Sequence, residues 1–222
     1  MRHHCVTCVE YPAVVPRRTI SPDTSESADT KSARTRARLL DAAAKVLARK
    51  GFSGTRLQDI AEEANIQAPA IYYYYPSRED LIEAVLYEGA TAMREFLTQR
   101  LAELPENTSP SDRLSTAVEA HLRHELELSD YARAVIRNAN QMPDQFSRRA
   151  LETVTEYNEI WRGLIDDLAA AGLLRADVVP SVGRMLVLGA LNWSVEWWDP
   201  ERGSLDEVIS VAKSMVLHAL RP

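Results

Sequence analysis

Four consecutive tyrosines at residues 72–75 are the side chains of this 222-residue chain with the clearest chemical use. The segment that carries them, AIYYYYPS, has no charge and contains Pro76. A phenol hydroxyl donates a hydrogen bond to a phosphate oxygen without needing a counter-charge of its own, and a core seldom needs four phenols in a row. The tyrosines therefore call for a role other than packing, and phosphate binding is one.

The residues before the tyrosines form a recognisable pattern. Apolar residues recur at helical spacing over residues 57–64, a break follows at residues 65–67, and a second short helix runs from Ala68 to about Tyr74. Asn65 tolerates the left-handed conformation that a tight turn requires. Two short helices joined in this way make a helix-turn-helix, whose second helix enters the major groove of DNA.

The charge of the chain is divided between its two ends. Residues 31–78 carry nine Lys or Arg against four Asp or Glu, a local charge of +5, although the whole chain has a net charge of −6. Residues 79–222 carry fourteen basic and twenty-four acidic residues. A basic module on an acidic body is what attraction to phosphate at one end requires. The alternative is a random fluctuation of charge.

The elements around this motif are helical. Residues 31–50 carry one apolar stripe and end at Gly51, which permits a left-handed helix end. Ser77 caps a long helix that runs to Leu104, about 40 Å at 1.5 Å per residue. Further helices are expected near residues 111–128, 130–140, 145–171, 179–198 and 205–220.

We therefore predict an all-α protein with three parts. Residues 1–30 contain three prolines and no sustained periodicity, and we expect a disordered arm there. Residues 31–78 form a three-helix helix-turn-helix domain, and residues 79–222 form a larger helical domain. The sequence has neither a run of about 18 apolar residues nor a signal-peptide pattern. We expect a cytoplasmic protein without membrane contact.

Metal and catalytic chemistry find little support in the sequence. Cys5 and Cys8, the only cysteines, lie in the expected arm, where an incidental tract is a more frequent explanation than a metal site. His121, His124 and Glu125 are candidate bases or ligands, but their helix is rich in charge, and we expect a solvated face. Serine elbows, phosphate-binding glycine loops and HExxH motifs are absent. We expect no enzyme, no cofactor and no metal.

Residues 34–86 resemble the N-terminal domain of Tet repressor family regulators. Two departures concern local structure: Gln67 replaces the serine that usually caps the second helix, and Pro69 takes a position that is often glycine. The resemblance implies a ligand-responsive repressor that binds a palindromic double-stranded DNA operator as a homodimer. The residues that carry it are Ala43, Gly51, Phe52, Thr55, Ile60, Ala61, Ala64, Ile66, Ile71, Tyr72, Tyr75, Ser77, Glu79 and Leu81.

The resemblance also implies which residues contact DNA. Base contacts fall at the starts of the two helices, where glutamine pairs with adenine and alanine or proline packs against a thymine methyl group. Phosphate contacts position the protein without specifying the sequence. The expected phosphate contacts are Thr55, Tyr72, Tyr74 and Arg78, and the expected base contacts are Gln58, Gln67, Ala68, Pro69, Ala70 and Tyr73.

By the same resemblance, the larger domain encloses a cavity for a small-molecule effector. Arg137 or Asn140 can meet a carboxylate or phosphate there. The segment LGALNWSVEWWDP at residues 188–200 is similar to a subgroup that regulates acyl-CoA, fatty-acid and sterol degradation, which implies an acyl-CoA-like effector. The expected lining residues are Met93, Phe96, His121, Arg133, Arg137, Asn140, Phe146, Tyr157, Trp161, Asn192, Trp193 and Trp197.

The last two helices are the expected dimer surface. Apolar residues recur along one side of each helix, and small residues among them allow close approach of a second pair of helices. The alternative is that these residues form only the core of a single chain. The residues assigned to the interface are Met185, Gly189, Trp193, Val208, Ala212 and Met215.

Three other functions stay open at this stage. Sequence does not fix the sign of regulation, so an activator of the same fold is one alternative. A helical DNA-binding adaptor without an effector is the second, and a cavity too small or too apolar for a specific ligand would favour it. The third is a helical enzyme that happens to contain a helix-turn-helix, which the local charge and the lack of catalytic motifs oppose.

Overall fold

The computed structural model describes residues 24–138, 141 and 148–222, and within these ranges it contains no β-strand. The all-α prediction is confirmed. In chain order the elements are α1 (Thr24–Gly54), α2 (Leu57–Ala64), α3 (Ala68–Ile71), α4 (Arg78–Ala102), α5 (Pro110–Arg123), a π-helical turn (His124–Leu128), α6 (Asp130–Asn138), α7 (Arg148–Ala170), α8 (Pro180–Asn192), α9 (Ser194–Trp197) and α10 (Leu205–Leu220).

Helix α1 begins earlier than the sequence predicts. Residues 24–30, which we expected to be disordered, are helical, and they contain neither the proline nor the glycine that would end a helix. The prediction for residues 1–23 lies outside the described residues. At the other end α1 kinks at Gly51, where φ is 68° and ψ is 174°. Glycine adopts this positive φ without steric cost, so the predicted left-handed residue is confirmed.

The N-terminal domain packs α1 against α2, and α2 against α3. Its core comes from the apolar stripe of α1 and from one face of each short helix, as the spacing of their apolar residues predicts. Side chains buried in this core include Leu39, Leu47, Ile60, Ile71 and Tyr75.

Helix α4 connects this domain to the body without a break, as predicted. Its 25 residues correspond to about 37 Å. The helix starts at a capping box in which the Ser77 hydroxyl accepts a hydrogen bond from the Asp80 N–H at 3.0 Å. Along its length α4 contacts α1 in one domain and α5, α6 and α7 in the other. A shift in the body can therefore move the N-terminal domain through α4.

The body consists of α4, which packs against α5, α6 and α7, together with α8, α9, α10 and the π-helical turn. Its largest fully buried side chain is Trp161 in α7. The helix predicted over residues 179–198 is divided into α8 and α9, and the bend between them turns Ser194 into the core, where it is almost fully buried. Among the described residues, none of the helices has both the length and the apolar character needed to cross a bilayer.

Candidate DNA interface, effector cavity and dimer face

The turn of the helix-turn-helix has the predicted geometry. Asn65 ends α2 with φ 51° and ψ 53°, the left-handed conformation that the sequence predicts. The N–H groups of Asn65 and Ile66 return to the carbonyls of Glu62 and Ala61 at 3.1 and 3.0 Å, which satisfies the end of α2. Asparagine therefore replaces glycine here without loss of the turn.

Helix α3 is shorter than predicted. It covers Ala68–Ile71, and the chain then continues in turns, with the Tyr74 N–H bonded to the Ile71 carbonyl at 2.9 Å. Gln67 stands at the N-cap in extended conformation and makes no capping hydrogen bond with its side chain, as expected for glutamine at this position. Its amide is therefore free of an intrahelical role and faces solvent.

The predicted DNA contacts divide into exposed and buried groups. Tyr72 and Tyr73 are 59% and 80% exposed, which is far outside the normal range for a packed tyrosine. Tyr74 is half-buried and meets the Tyr73 ring edge-to-face, with 5.0 Å between ring centroids. Exposed positions also include Gln58, Gln67, Pro69 and Ala70, while Ala68 is half-buried.

Thr55 and Arg78 do not match their assignment as phosphate contacts. Thr55 is 2% exposed, and its hydroxyl donates to the Gly51 carbonyl at 2.7 Å. The Arg78 guanidinium donates to the Thr55 carbonyl at 2.8 Å, to the Phe52 carbonyl and to Glu79 at 2.7 Å, and it stacks on the Phe52 ring. Both side chains hold the 51–55 turn in place against the start of α4. The structure therefore gives them a positioning role.

The basic residues of the module also divide into two groups. Lys45, Arg49 and Lys50 pair with acidic residues of α2, the shortest contacts being Arg49–Glu63 and Lys50–Asp59 at 2.8 Å. Arg34, Arg36, Arg38 and Arg56 are exposed and make no ion pair with any described residue. The sequence pointed to the excess of basic residues but did not assign these four to the DNA interface.

Helix α6 of the body is hydrogen-bonded to the end of α1. The Asn138 side chain is fully buried, and its Oδ1 accepts a hydrogen bond from the Phe52 N–H at 2.7 Å. Arg137 donates to the Ala48 carbonyl and, at 2.7 Å, to Glu196 of α9. The sequence analysis placed Arg137 in the effector cavity and did not single out Asn138. The bonds from Asn138 to Phe52 and from Arg137 to Ala48 and Glu196 join segments far apart in the chain, so local spacing could not predict them.

A cavity of about 290 Å³ lies between α4, α6, α7 and α8. Three predicted lining residues, Met93, Tyr157 and Asn192, meet there. Its polar groups are neutral, and none of the described residues that line it has a charged side chain. The lining residues are Ala90, Met93, Val135, Ile136, Val154, Tyr157, Asn158, Met185, Leu188, Gly189 and Asn192.

Other predicted lining residues lie elsewhere. Arg133 and Arg137 line a separate cavity of about 610 Å³ between α1, α6 and residues 195–205. Both guanidinium groups donate hydrogen bonds to oxygen atoms of the protein, to backbone carbonyls in each case and also to the Glu196 carboxylate for Arg137. Trp193 is largely exposed, and Trp197 lines a groove beside α10. Asn140 and Phe146 lie outside the described residues.

His121 and Glu125 form a buried polar cluster rather than the solvated face we expected. Both are almost fully buried, because His121 near the end of α5 and Glu125 one turn later, in the π-helical turn, continue the face that carries Leu114, Ala117 and Val118. This apolar spacing is visible in the sequence and was the signal that could have placed them inside. A metal site is absent from the described part of the chain, where no three His, Cys, Asp or Glu side chains are suitably grouped.

The contacts of this cluster run from the effector cavity to α9. Tyr157 Oη lies 2.7 Å from His121 Nδ1, and His121 Nε2 lies 2.8 Å from Glu125 Oε2, bent away from ideal hydrogen-bond direction. The other Glu125 oxygen accepts from the Ser194 hydroxyl at 3.4 Å. Trp161 meets the His121 ring edge-on, with 5.8 Å between ring centroids. Phe96 lies on the other side, against His124.

Burial sets the charge states in this cluster. Loss of hydration raises the pKa of Glu125 and of the Tyr157 hydroxyl, in each case as the largest effect. It also lowers the pKa of His124 to about 4, with the neighbouring His121 as a second cause. Both His124 ring nitrogens and the Trp161 indole N–H are buried without a hydrogen-bond partner among the described residues. Burial therefore disfavours the charged forms of His124, Glu125 and Tyr157.

The predicted dimer surface is an exposed apolar face on α8 to α10. Leu186 is 69% exposed although its neighbours Val187 and Leu188 are buried, so the apolar character of α8 exceeds what the single chain needs. Gly189 is exposed, and Val208 and Ala212 are half-buried along the groove beside α10. The alternative of an intramolecular core is wrong for the assigned residues Met185, Trp193 and Met215, which are largely exposed, and the same helices also expose Val182, Leu186 and Val211.

An exposed helix-turn-helix joined by α4 and α6 to a helical body with a cavity defines a DNA-binding transcription regulator. Family comparison gives the particular group. Residues 39–85 match the family described as bacterial regulatory proteins, tetR family, and residues 107–220 match the tetracyclin repressor-like C-terminal domain. The chain belongs to the TetR family, so the resemblance drawn from the sequence is confirmed.

Relatives and solved structures agree with this assignment. The chain is 24% identical over 209 residues to the HTH-type transcriptional repressor KstR2 of Rhodococcus jostii, covering 90% of this chain and 98% of that protein. It is 20% identical over 162 residues to the fatty acid metabolism regulator protein of Bacillus subtilis, covering 72% and 81%. The crystal structure of AibR in complex with isovaleryl coenzyme A and operator DNA has a TM-score of 0.72 at 21% identity, covering 82% and 96%, which establishes a shared fold.

Proposed function

We propose that this regulator is a repressor that binds a palindromic operator as a homodimer and is released by a small hydrophobic effector, with an acyl-CoA as the first candidate class. The observation that carries the proposal is the exposed surface of Tyr72, Tyr73 and Gln67 beside an exposed set of arginines. Solvent exposure of such large aromatic side chains costs free energy unless a partner covers them. That the chain has no enzymatic activity stays a prediction.

Dimerisation is supported by the exposed face of α8 to α10. A single helix-turn-helix covers little DNA surface, so useful affinity calls for two modules in register with successive major grooves. Isologous packing of Leu186, Met185 and Met215 against the same residues of a second copy would bury the exposed apolar area. The operator would then be a pseudo-palindrome with half-sites about one helical turn apart.

The effector class is supported by the cavity and by the relatives. The cavity is apolar with a few neutral polar groups, which suits an acyl or ring group. AibR was solved with isovaleryl coenzyme A, and the Bacillus subtilis relative is a fatty acid metabolism regulator. The small volume of about 290 Å³ favours a short acyl chain over a bulky one in this conformation.

A route from effector to DNA is available through α4 and α6. The two helices pack so closely at Gly89 that a Cβ there would lie 2.7 Å from the Tyr131 carbonyl oxygen, so they move together. Both line the cavity, and both contact α1 or the 51–55 turn. An effector that fits better in one arrangement of α4 and α6 would shift the two helix-turn-helix domains of the dimer out of register with successive major grooves of the operator.

Mobility-shift titration of DNA flanking the protein's own gene tests this function. We expect tight binding to a short palindrome that is released by one member of an acyl-CoA panel. Sedimentation of the free protein should show a dimer. Tight binding that no acyl-CoA relieves would reject the effector class, and stimulated transcription from the bound operator would reverse the sign of regulation. Weak binding to every sequence would reject specific regulation by this DNA and favour a DNA-binding adaptor.

A further inference from the structure

We propose that Tyr157, backed by His121 and Glu125, is the polar recognition group of the effector cavity, and that it selects effectors carrying a neutral carbonyl or hydroxyl on an apolar body over free carboxylates. The inference rests on the proposed effector function and assigns its chemical specificity to named residues. Its starting observation is that Tyr157 both lines the cavity and bonds the buried cluster behind it.

The position of the Tyr157 hydroxyl is fixed by its contact with His121. Its oxygen lies 2.7 Å from His121 Nδ1, and the His121 ring is held between Glu125, 2.8 Å from Nε2, and the edge of Trp161. A tyrosine that only filled the core would not need a buried histidine and carboxylate at its hydroxyl, because burying those groups costs free energy. The arrangement therefore fixes the direction of the hydroxyl of a residue that also lines the cavity.

The proton carried by His121 decides what Tyr157 offers to a ligand. When Nε2 holds the proton and faces a Glu125 carboxylate, Nδ1 accepts the tyrosine O–H, and only the phenol oxygen is left to accept from a ligand hydroxyl. When Glu125 is protonated and donates to Nε2, Nδ1 donates to the phenol oxygen, and the tyrosine O–H is free to donate to a carbonyl. The raised pKa of Glu125 places the second arrangement within reach.

A free carboxylate fits this site poorly. The residues that line the cavity carry no positive charge, and Glu125 lies behind Tyr157 and His121. The guanidinium of Arg133 donates to the backbone carbonyls of Glu125 and Leu126 from the separate cavity next to α1. An anionic ligand would therefore lose its hydration without gaining a cation.

The neutral carbonyl with the closest match to this cavity is that of a short acyl thioester. The volume of about 290 Å³ lies at the lower end for ligand pockets, roughly 300–1,000 Å³, so the apolar chain and the carbonyl can enter while a coenzyme nucleotide stays outside. The thioester, which is uncharged at its carbonyl, satisfies the Tyr157 hydroxyl. The free acid of the same chain presents a charge at the same point.

Calorimetric titration of the full-length protein tests the selection with two probes of equal acyl length. One is the neutral thioester of isovaleric acid with N-acetylcysteamine, and the other is sodium isovalerate. We expect the wild-type protein to bind the thioester at least about tenfold more tightly. Tyr157→Phe should weaken thioester binding roughly tenfold, the loss expected for one buried hydrogen bond. Tyr131→Phe is the matched control, because its hydroxyl bonds Asp41 at 2.7 Å outside the cavity, and affinity should not change.

The role of Glu125 is tested by the pH dependence of thioester binding. Donation to a carbonyl favours the protonated Glu125, so affinity should fall as pH rises through its pKa. The titratable or charged groups around it are His121 and His124 on its own element, Tyr157 on α7 and Arg133 on α6. Glu125→Gln keeps a donor toward Nε2, and we expect retained binding with a flat pH profile, whereas a merely structural residue would not change the profile's shape.

The outcomes separate this inference from the proposed function. Equal wild-type affinity for thioester and acid, or equal affinity of wild type and Tyr157→Phe for the thioester, would overturn the assignment and leave operator binding untouched. Wild-type protein that binds its operator but neither probe would also overturn it, since the ligand class would be wrong. Failure of operator binding in the mobility shift would instead count against the proposed function. The wild-type comparison of two probes needs no variant to fold.

Discussion

The amide oxygen of Asn138 accepts a hydrogen bond from the backbone N–H of Phe52 at 2.7 Å, across 86 positions of sequence. The bond joins the last turn of α6 to the residue that follows the Gly51 kink in α1. The same amide group donates from Nδ2 to the Ala134 carbonyl at 2.8 Å, so its orientation is fixed from both ends. The body therefore holds the reading domain by a buried polar contact as well as through α4.

Replacement of Asn138 by leucine tests this contact. The substitution removes the acceptor of the half-buried Phe52 N–H, and the loss of such a hydrogen bond costs about 1 kcal/mol. We expect the free energy of unfolding to fall by that amount and effector-induced release of operator to weaken more than operator binding itself. Gln141→Ala is the control, because that amide is exposed and, among the described residues, bonds the Arg137 carbonyl. Normal release in Asn138→Leu would show that α4 alone carries the signal.

Phosphate contacts can be told apart from positioning residues by salt dependence. Removing one phosphate contact lowers the slope of log K against log [salt] by about 0.9. We expect this change for Arg38→Ala, whose side chain is exposed, and no change of slope for Arg78→Ala, whose guanidinium is bound to the Thr55 and Phe52 carbonyls. Arg78→Ala should weaken binding at every salt concentration, because the 51–55 turn loses its support. A reduced slope for Arg78→Ala would restore it as a phosphate contact.

Base and phosphate contacts also differ in how a substitution changes sequence preference. Gln67 has an exposed amide with no capping role, and Gln67→Ala should relax discrimination at one base pair by about 1–3 kcal/mol if the amide is bidentate to adenine. Tyr74→Phe should weaken binding to all sequences alike. Binding to a panel of single-base operator variants measures both effects. An equal loss over the whole panel for Gln67→Ala would remove it from the base contacts.

The local conformations were predictable from the sequence, whereas contacts between distant segments were not. Gly51, Asn65 and Ser77 follow from backbone chemistry within a few residues, and the structure has each of them as predicted. The bonds of Thr55 and Arg78 were not predictable, because their partners are carbonyl groups, whose direction only the folded chain fixes. A residue type at a family position therefore indicates which part of the fold it belongs to more reliably than it indicates which atoms its side chain bonds.

The buried cluster shows the same limit in the body. His121 and Glu125 have sequence neighbours rich in charge, and that composition outweighed the apolar spacing on the face of α5 and the π-helical turn that carries them. Their partners come from Tyr157 and Ser194, which lie 36 positions from His121 and 69 from Glu125, respectively. The apolar spacing indicates that this face is buried, whereas no local pattern identifies the distant residues that pack against it.

His124 should make the protein less stable in mild acid. Its pKa is lowered to about 4 by burial, so between the ordinary value of 6.5 and 4 only the unfolded chain takes up the proton. Stability is then complete above pH 6.5 and is lost as pH falls toward 4, by at most about 3 kcal/mol. Glu125 has a raised pKa and acts in the opposite direction.

Urea unfolding of wild type and His124→Leu between pH 7.5 and 4.5, at one protein concentration, measures the contribution of His124 to the pH dependence of the free energy of unfolding. The leucine variant should lose less stability across the range, because only the titration of His124 has been removed. Parallel pH profiles of the two proteins would show that His124 is protonated as easily in the folded state as in the unfolded chain.

Leu186→Glu should convert the dimer to a monomer. The side chain is 69% exposed in the single chain, so glutamate there costs the fold of one protomer little, whereas two such carboxylates would face each other or lie buried in the isologous interface. We expect sedimentation of the variant at half the mass of the wild type, with the same helical content by circular dichroism. Operator affinity should fall steeply, since one reading head remains per molecule. Thr155→Glu adds the same charge at an exposed site of α7 and should leave mass and affinity unchanged. A Leu186→Glu protein that stays dimeric would move the interface away from α8.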